Sequence, residues 1–193
     1  MKKQVFIING SGGTGKDTFV ELVNDSDNFY KLIGGKYTKR IKVYNHSSVT
    51  KVKKIAKIIG WNGEKTEKDR KFLSDLKLLT SEYNNMPLED MKSYANKAFN
   101  NDFDKCDMKI LFLHIREPEE VAKAVNEFKK YNVKTILVKR DSVKHITSNM
   151  ADENVYNYNY DIVINNNGTL DDLKAKAECF LMDFETNDLK NEY

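Results

Sequence analysis

Gly10-Ser11-Gly12-Gly13-Thr14-Gly15-Lys16-Asp17-Thr18 is the stretch that decides how this chain folds. Just before it stands Val5-Phe6-Ile7-Ile8, an unbroken apolar run of the kind found in strands buried on both faces of a parallel sheet. Just after it, residues 16–24 carry Phe19, Val20, Leu22 and Val23 at helical spacing. A glycine-rich turn therefore joins a buried strand to a helix.

That context gives the GxxxxGK spacing of Gly10 to Lys16 its meaning. An oligophosphate needs many N–H donors converging on it, and glycines let the backbone bend and come close. The helix that follows adds unpaired N–H groups and a partial positive charge. An ammonium group such as that of Lys16 can then reach the far phosphates. The pattern departs from the common form at one place. The position after the lysine, usually a Ser or Thr that ligates Mg²⁺, is Asp17, with Thr18 next.

Working outward, residues 40–44 are a second strand candidate, followed by a turn, Asn45-His46-Ser47-Ser48, that supplies an N-cap to a helix over 49–59. A second helix is expected over 67–83, with Phe72, Leu73, Leu76 and Leu79 along one stripe. Pro87 suits the first turn of a third, running to about Phe99. Strands are expected over 109–115, 134–139 and 161–164. Helices are expected from Pro118 to about Lys130 and over 170–184, with a polar, frayed tail over 185–193. This alternation predicts an α/β fold, a five-stranded parallel sheet flanked by helices.

Composition narrows the function classes. The 193 residues fit one domain. The 32 basic and 29 acidic residues nearly cancel, and a net charge of +3 gives no stable hold on nucleic acid. No apolar run approaches the ~20 residues of a membrane span, and the run after Met1 is too short for a signal segment. Cys106 and Cys179 lack metal or redox spacing and read as reduced thiols, which points to a cytoplasmic protein.

The GKDT loop, Gly15-Lys16-Asp17-Thr18, resembles that of adenylate kinase-like nucleoside monophosphate kinases, in particular phage deoxynucleoside monophosphate kinases, and that of some phosphomevalonate kinases. The resemblance spans most of the chain, but only this loop is sharply specific. It implies a P-loop kinase domain over 1–193, with an acceptor-binding insertion at about 45–107 and a short lid at about 140–159. It implies ATP and Mg²⁺ as cofactors and a small-molecule nucleotide as partner. Gly10, Ser11, Gly12, Gly13, Thr14, Gly15, Lys16, Asp17 and Thr18 would hold the donor, with Asp17 and Thr18 at the metal.

The same resemblance puts the acceptor at His46, Ser47, Ser48 and Arg116, although Ser48 as helix cap is an equal alternative; Arg70 is a candidate for the acceptor phosphate on its chemistry alone, with an exposed surface role as an equal alternative. Lys16, Arg116 and Arg140 would act on the moving phosphoryl group. Arginine is scarce beside lysine here, and its fork fits phosphate bidentately, so Arg70, Arg116 and Arg140 stand out. Arg116 and Arg140 directly follow strands, at the carboxyl edge where open α/β sheets bind ligands. The family's aspartate near the third strand end is not matched; His114 and Glu117 stand there instead.

Other features read both ways. Lys51, Lys53, Lys54 and Lys57 attract an anion or form a solvated face. Trp61 stacks on a base or packs a lid. His145 alone makes no metal site. A phosphorylated metabolite such as phosphomevalonate is the rival acceptor. A regulatory NTPase is the rival class, against which stand the lack of a strand ending in a Walker-B aspartate and of an NKxD base reader. The accepted base and sugar stay open, as does any homodimer surface, for which 24–39 and 84–107 are the unassigned segments.

Overall fold

The expected strand at the start of the chain is β1, Lys2–Asn9, and its last six residues are buried. It is the middle strand of a five-stranded parallel sheet in the order β2-β3-β1-β4-β5, with β2 Ile41–Ser47, β3 Met108–His114, β4 Lys134–Lys139 and β5 Ile162–Asn165. The computed structural model describes residues 1–25, 40–101, 106–143 and 154–193. The loop expected over 24–39 lies outside them from residue 26 onward, as do residues 144–153 of the expected lid, including His145.

Strand order places the ligand edge. From β1 the chain crosses through α1, Lys16–Asp25, toward β2; from β3 it crosses back past β1 through α5, Pro118–Glu127, to β4. Right-handed crossovers running in opposite directions put their helices on opposite faces. From β1 the chain runs toward β2 on one side, and from β4 to β5 on the other, so the connections of these adjacent strands diverge, the arrangement at whose carboxyl ends open α/β sheets bind ligands. Asn9, the last residue of β1, pairs with Leu137 of β4 at this edge.

The chain divides into two compact units, 1–45 with 101–193, and 46–100. In the first, the final helix α6, Leu170–Thr186, packs with α1 against one face of the sheet. The core there is aromatic: Phe6 stacks on Phe112 at 5.5 Å, and Phe180 of α6 meets Phe6 at 5.1 Å and Phe19 at 5.6 Å edge-on. Edge-to-face rings gain quadrupole attraction beyond their buried area. On the other face, α5 buries Val121 and Ala124 and touches β1.

The second unit is helical: α2 Thr50–Ile58, α3 Glu67–Asn84 and α4 Met86–Phe99. Thr66 and Asp69 close a reciprocal capping box at the start of α3. Pro87 sits in the first turn of α4, as expected.

Four expectations need correction. β2 runs through Ser47, so Asn45, His46 and Ser47 are strand and not turn. The N-cap of α2 is Val49, with no side-chain cap bond, so Ser48 does not cap it. On α3, Leu79 is 63% exposed, whereas Lys77 is buried; the helix rotates its stripe away from the fourth leucine. The helix after Pro118 stops at Glu127 and gives way to a 3-10 turn, Lys129–Tyr131, that ends on Asn132 in the left-handed conformation.

The tail also departs from expectation. It is paired, not frayed: Val163 donates to the Asn191 carbonyl at 2.8 Å, and Tyr193 donates to the Val163 carbonyl at 2.9 Å. The tail covers the open edge of β5, whose backbone groups would otherwise lack partners.

Candidate functional site

The glycine loop springs from β1 through Asn9, which is fully buried. Its side-chain oxygen accepts from Gly10 N–H at 2.8 Å. Its amide nitrogen donates to the Arg116 carbonyl at 2.8 Å and to the Tyr160 hydroxyl at 2.7 Å. Tyr160 in turn donates to the Val155 carbonyl at 2.7 Å. One amide therefore ties the start of the loop to the segment after β3 and the segment before β5. Burial pushes the Tyr160 phenol well above its ordinary range, and the bond from Asn9 opposes that only in part.

Gly10 is a required glycine. Its φ is +152°, and a Cβ there would sit 2.5 Å from the Val138 backbone oxygen and 2.7 Å from Thr14 Oγ1. The loop then closes on itself. The Ser11 carbonyl accepts from Thr14 N–H at 3.3 Å and from Thr14 Oγ1 at 3.0 Å. Ser11 and Thr14 are both buried. Gly12 is half-buried and Gly13 exposed. At Gly15 the carbonyl accepts from Phe19 N–H at 2.8 Å, which starts α1.

Lys16, the first residue of α1, is only 8% exposed. Asp17 follows with its side chain 74% exposed, its carboxylate 3.4 Å from Nδ1 of His114 at the end of β3. Thr18 is half-buried. The donor set suits a hard cation. Mg²⁺ is held by one or two carboxylates together with substrate phosphates and keeps several waters, and the exposed Asp17 carboxylate is such a donor.

Arg116 and Arg140 are half-buried residues just past β3 and β4, on the same edge of the sheet as the loop. Next to Arg140, Asp141 and Asn167 make a reciprocal pair. Asp141 N–H donates to Asn167 Oδ1 at 2.8 Å, and Asn167 Nδ2 donates to Asp141 Oδ2 at 2.7 Å.

The remaining candidates belong to the helical unit. Ser47 is half-buried, and its hydroxyl accepts from Val49 N–H at 3.4 Å; Ser48 is 4% exposed. Arg70 is exposed, its Nε donating to the Lys65 carbonyl at 3.2 Å. Trp61 is half-buried and donates its ring N–H to the Glu64 carbonyl at 3.1 Å. Beside them His46 stacks on Tyr94 at 4.2 Å, and its Nε2 lies 2.9 Å from Asp90. This unit carries eleven Lys and Arg against seven Asp and Glu, a net charge of +4.

Sequence reading missed Asn9, Tyr160 and Asn166. The only local hint was an asparagine ending an otherwise apolar strand. The partners of these residues are far away in sequence, so spacing alone cannot show them.

An α/β domain with a glycine turn closing its central strand onto a helix is what these observations define. Among solved structures, the tunicamycin resistance protein of Deinococcus radiodurans aligns with a TM-score of 0.48 at 9% identity, covering 93% of this chain and 96% of that one. TT1252 from Thermus thermophilus aligns with a TM-score of 0.44 at 14% identity, over 95% and 98%. Likenesses of this order do not extend to activity or substrate. No protein-family model matches the chain, and no curated protein matches it in sequence.

Proposed function

We propose that this chain is a phosphotransferase that binds ATP with Mg²⁺ at the Gly10–Thr18 turn and moves the terminal phosphoryl group to a (deoxy)nucleoside monophosphate. One observation carries the reading: the turn with its lysine joins the buried central strand to α1 at the edge where the connections diverge. Backbone N–H groups of the turn bind the donor phosphates. Asp17 and Thr18 are the residues that would hold the ion, which supplies charge neutralisation between the phosphates.

Lys16 is nearly buried, so its ammonium group acts with little water around it, where its field is strongest. Arg116 and Arg140 supply planar cations at the sheet edge for the moving group. Ser47 and Ser48 are assigned to the acceptor from the family resemblance and Arg70 from its bidentate fork, and the +4 charge of their unit favours an anionic acceptor. A phosphate acceptor is already ionised, so positioning and charge stabilisation suffice without a general base.

A coupled ADP-release assay across ribo- and deoxyribonucleoside monophosphates tests the reading. Release that requires one of these acceptors supports it. Release with phosphomevalonate or another phosphorylated metabolite alone moves the acceptor, and release with no acceptor makes the chain an NTPase. Lys16→Ala should lower turnover by at least about 100-fold with the far-UV spectrum unchanged. Normal turnover in that variant rules the site out.

A further inference from the structure

The paired tail and the glycine loop are held by two consecutive residues, Asn165 and Asn166. Residues 191–193 run beside β5, and Asn165 N–H donates to the Tyr193 carbonyl at 2.9 Å while its side chain bonds Glu192. Tyr193 anchors this strap to α6: its hydroxyl donates to Asp183 at 2.9 Å, and its ring meets Phe180 at 6.0 Å. The next residue after β5 is Asn166, which is 5% exposed. Its N–H donates to the Lys139 carbonyl at 2.8 Å, and its side-chain amide donates to the Thr14 carbonyl at 2.9 Å. That amide lies so near the loop that a Cβ at Gly15 would collide with its nitrogen.

Peptide planarity gives this bond a consequence. In a trans peptide the carbonyl and the following N–H point in opposite directions. Anchoring the Thr14 carbonyl on Asn166 therefore aims the Gly15 N–H away from Asn166. A released Thr14–Gly15 peptide is free to rotate and present an oxygen lone pair where an anion needs a donor.

We infer that Asn166 is a positioning residue for the glycine loop, holding the Thr14–Gly15 peptide in its anion-binding orientation, and that the strap at 191–193 keeps Asn166 in place through its neighbour Asn165. Its effect on binding rests on the proposed nucleotide site; its effect on the loop does not.

The test uses the full chain with Asn166→Ala, Tyr193→Ala and the double variant. It reads the NMR order parameter of the Gly15 N–H without nucleotide and MgATP affinity by calorimetry. The Gly15 order parameter should fall in both single variants, while amide exchange at Ile110 in the middle of β3 keeps its wild-type rate, which separates loop release from general loosening. MgATP binding should weaken about tenfold in Asn166→Ala, the factor that one hydrogen bond contributes, and by less in Tyr193→Ala. The double variant should bind no more weakly than Asn166→Ala alone, because both act through one bond.

Multiplying effects in the double variant would overturn the strap's part. An unchanged Gly15 order parameter with unchanged affinity would overturn the inference. If Asn166→Ala does not fold, Asn166→Asp keeps the backbone bond but cannot donate when ionised, and the same outcomes apply. A lowered Gly15 order parameter in a chain whose wild type does not bind MgATP would refute the nucleotide reading and leave the loop restraint standing.

Discussion

Replacing Asn9 by alanine removes three hydrogen bonds of 2.7–2.8 Å from a fully buried site. Gly10 N–H loses its acceptor, the Arg116 carbonyl loses this donor, and Tyr160 keeps only its bond to Val155. Stripping a buried polar group of its partner costs about 1–3 kcal/mol. With two such groups the loss is roughly 2–6 kcal/mol, centred near 4, before any cavity term. The assay is urea unfolding followed by far-UV circular dichroism, with free energies from midpoint and slope.

A double-mutant cycle with Tyr160→Phe isolates the Asn9–Tyr160 bond and should give a coupling of about 0.5–3 kcal/mol. An Asn9→Ala loss below about 1 kcal/mol, the scale of one net hydrogen bond, would refute the claim that Asn9 is the tie. So would additivity of the two substitutions within about 0.5 kcal/mol.

Gly10→Ala should cost at least about 3 kcal/mol, from a strained φ and from overlap with backbone that cannot yield. For a chain of this size that lowers Tm by roughly 6 °C or more, and a thermal scan that shows no shift denies the close approach to β4. Phe180→Ala removes a fully buried ring in contact with Phe6 and Phe19 and should cost about 3–5 kcal/mol in the same urea assay. Stability should also fall in alkali. Burial raises the Tyr160 and Tyr193 phenols in the folded chain, so their contribution is intact below the ordinary phenol value of about 10 and is lost as pH rises beyond it. Urea midpoints taken from pH about 8 to about 11 should drop only in the upper part of the range, and less steeply in Tyr160→Phe; a midpoint that does not move contradicts the assignment.

Sequence alone determined the sheet. Val5 to Ile8 is apolar without alternation, and only a strand covered on both faces has a use for that. The extent of β4, the proline in the first turn of α4 and the glycine turn before Lys16 are likewise local signals, set by side-chain type and by φ within a few residues. Tertiary structure decided what local signals cannot carry. The polar tail looks like a free end, because the unpaired edge of β5 that captures it is formed by residues about thirty positions away. Asn9 and Asn166 look like ordinary polar residues until the fold brings Arg116, Tyr160 and Thr14 within 3 Å of their amides. The physical reason is the range of each force. Propensity and hydrophobic periodicity act along a few residues of chain, whereas a buried amide is satisfied by whichever backbone the packed strands bring beside it.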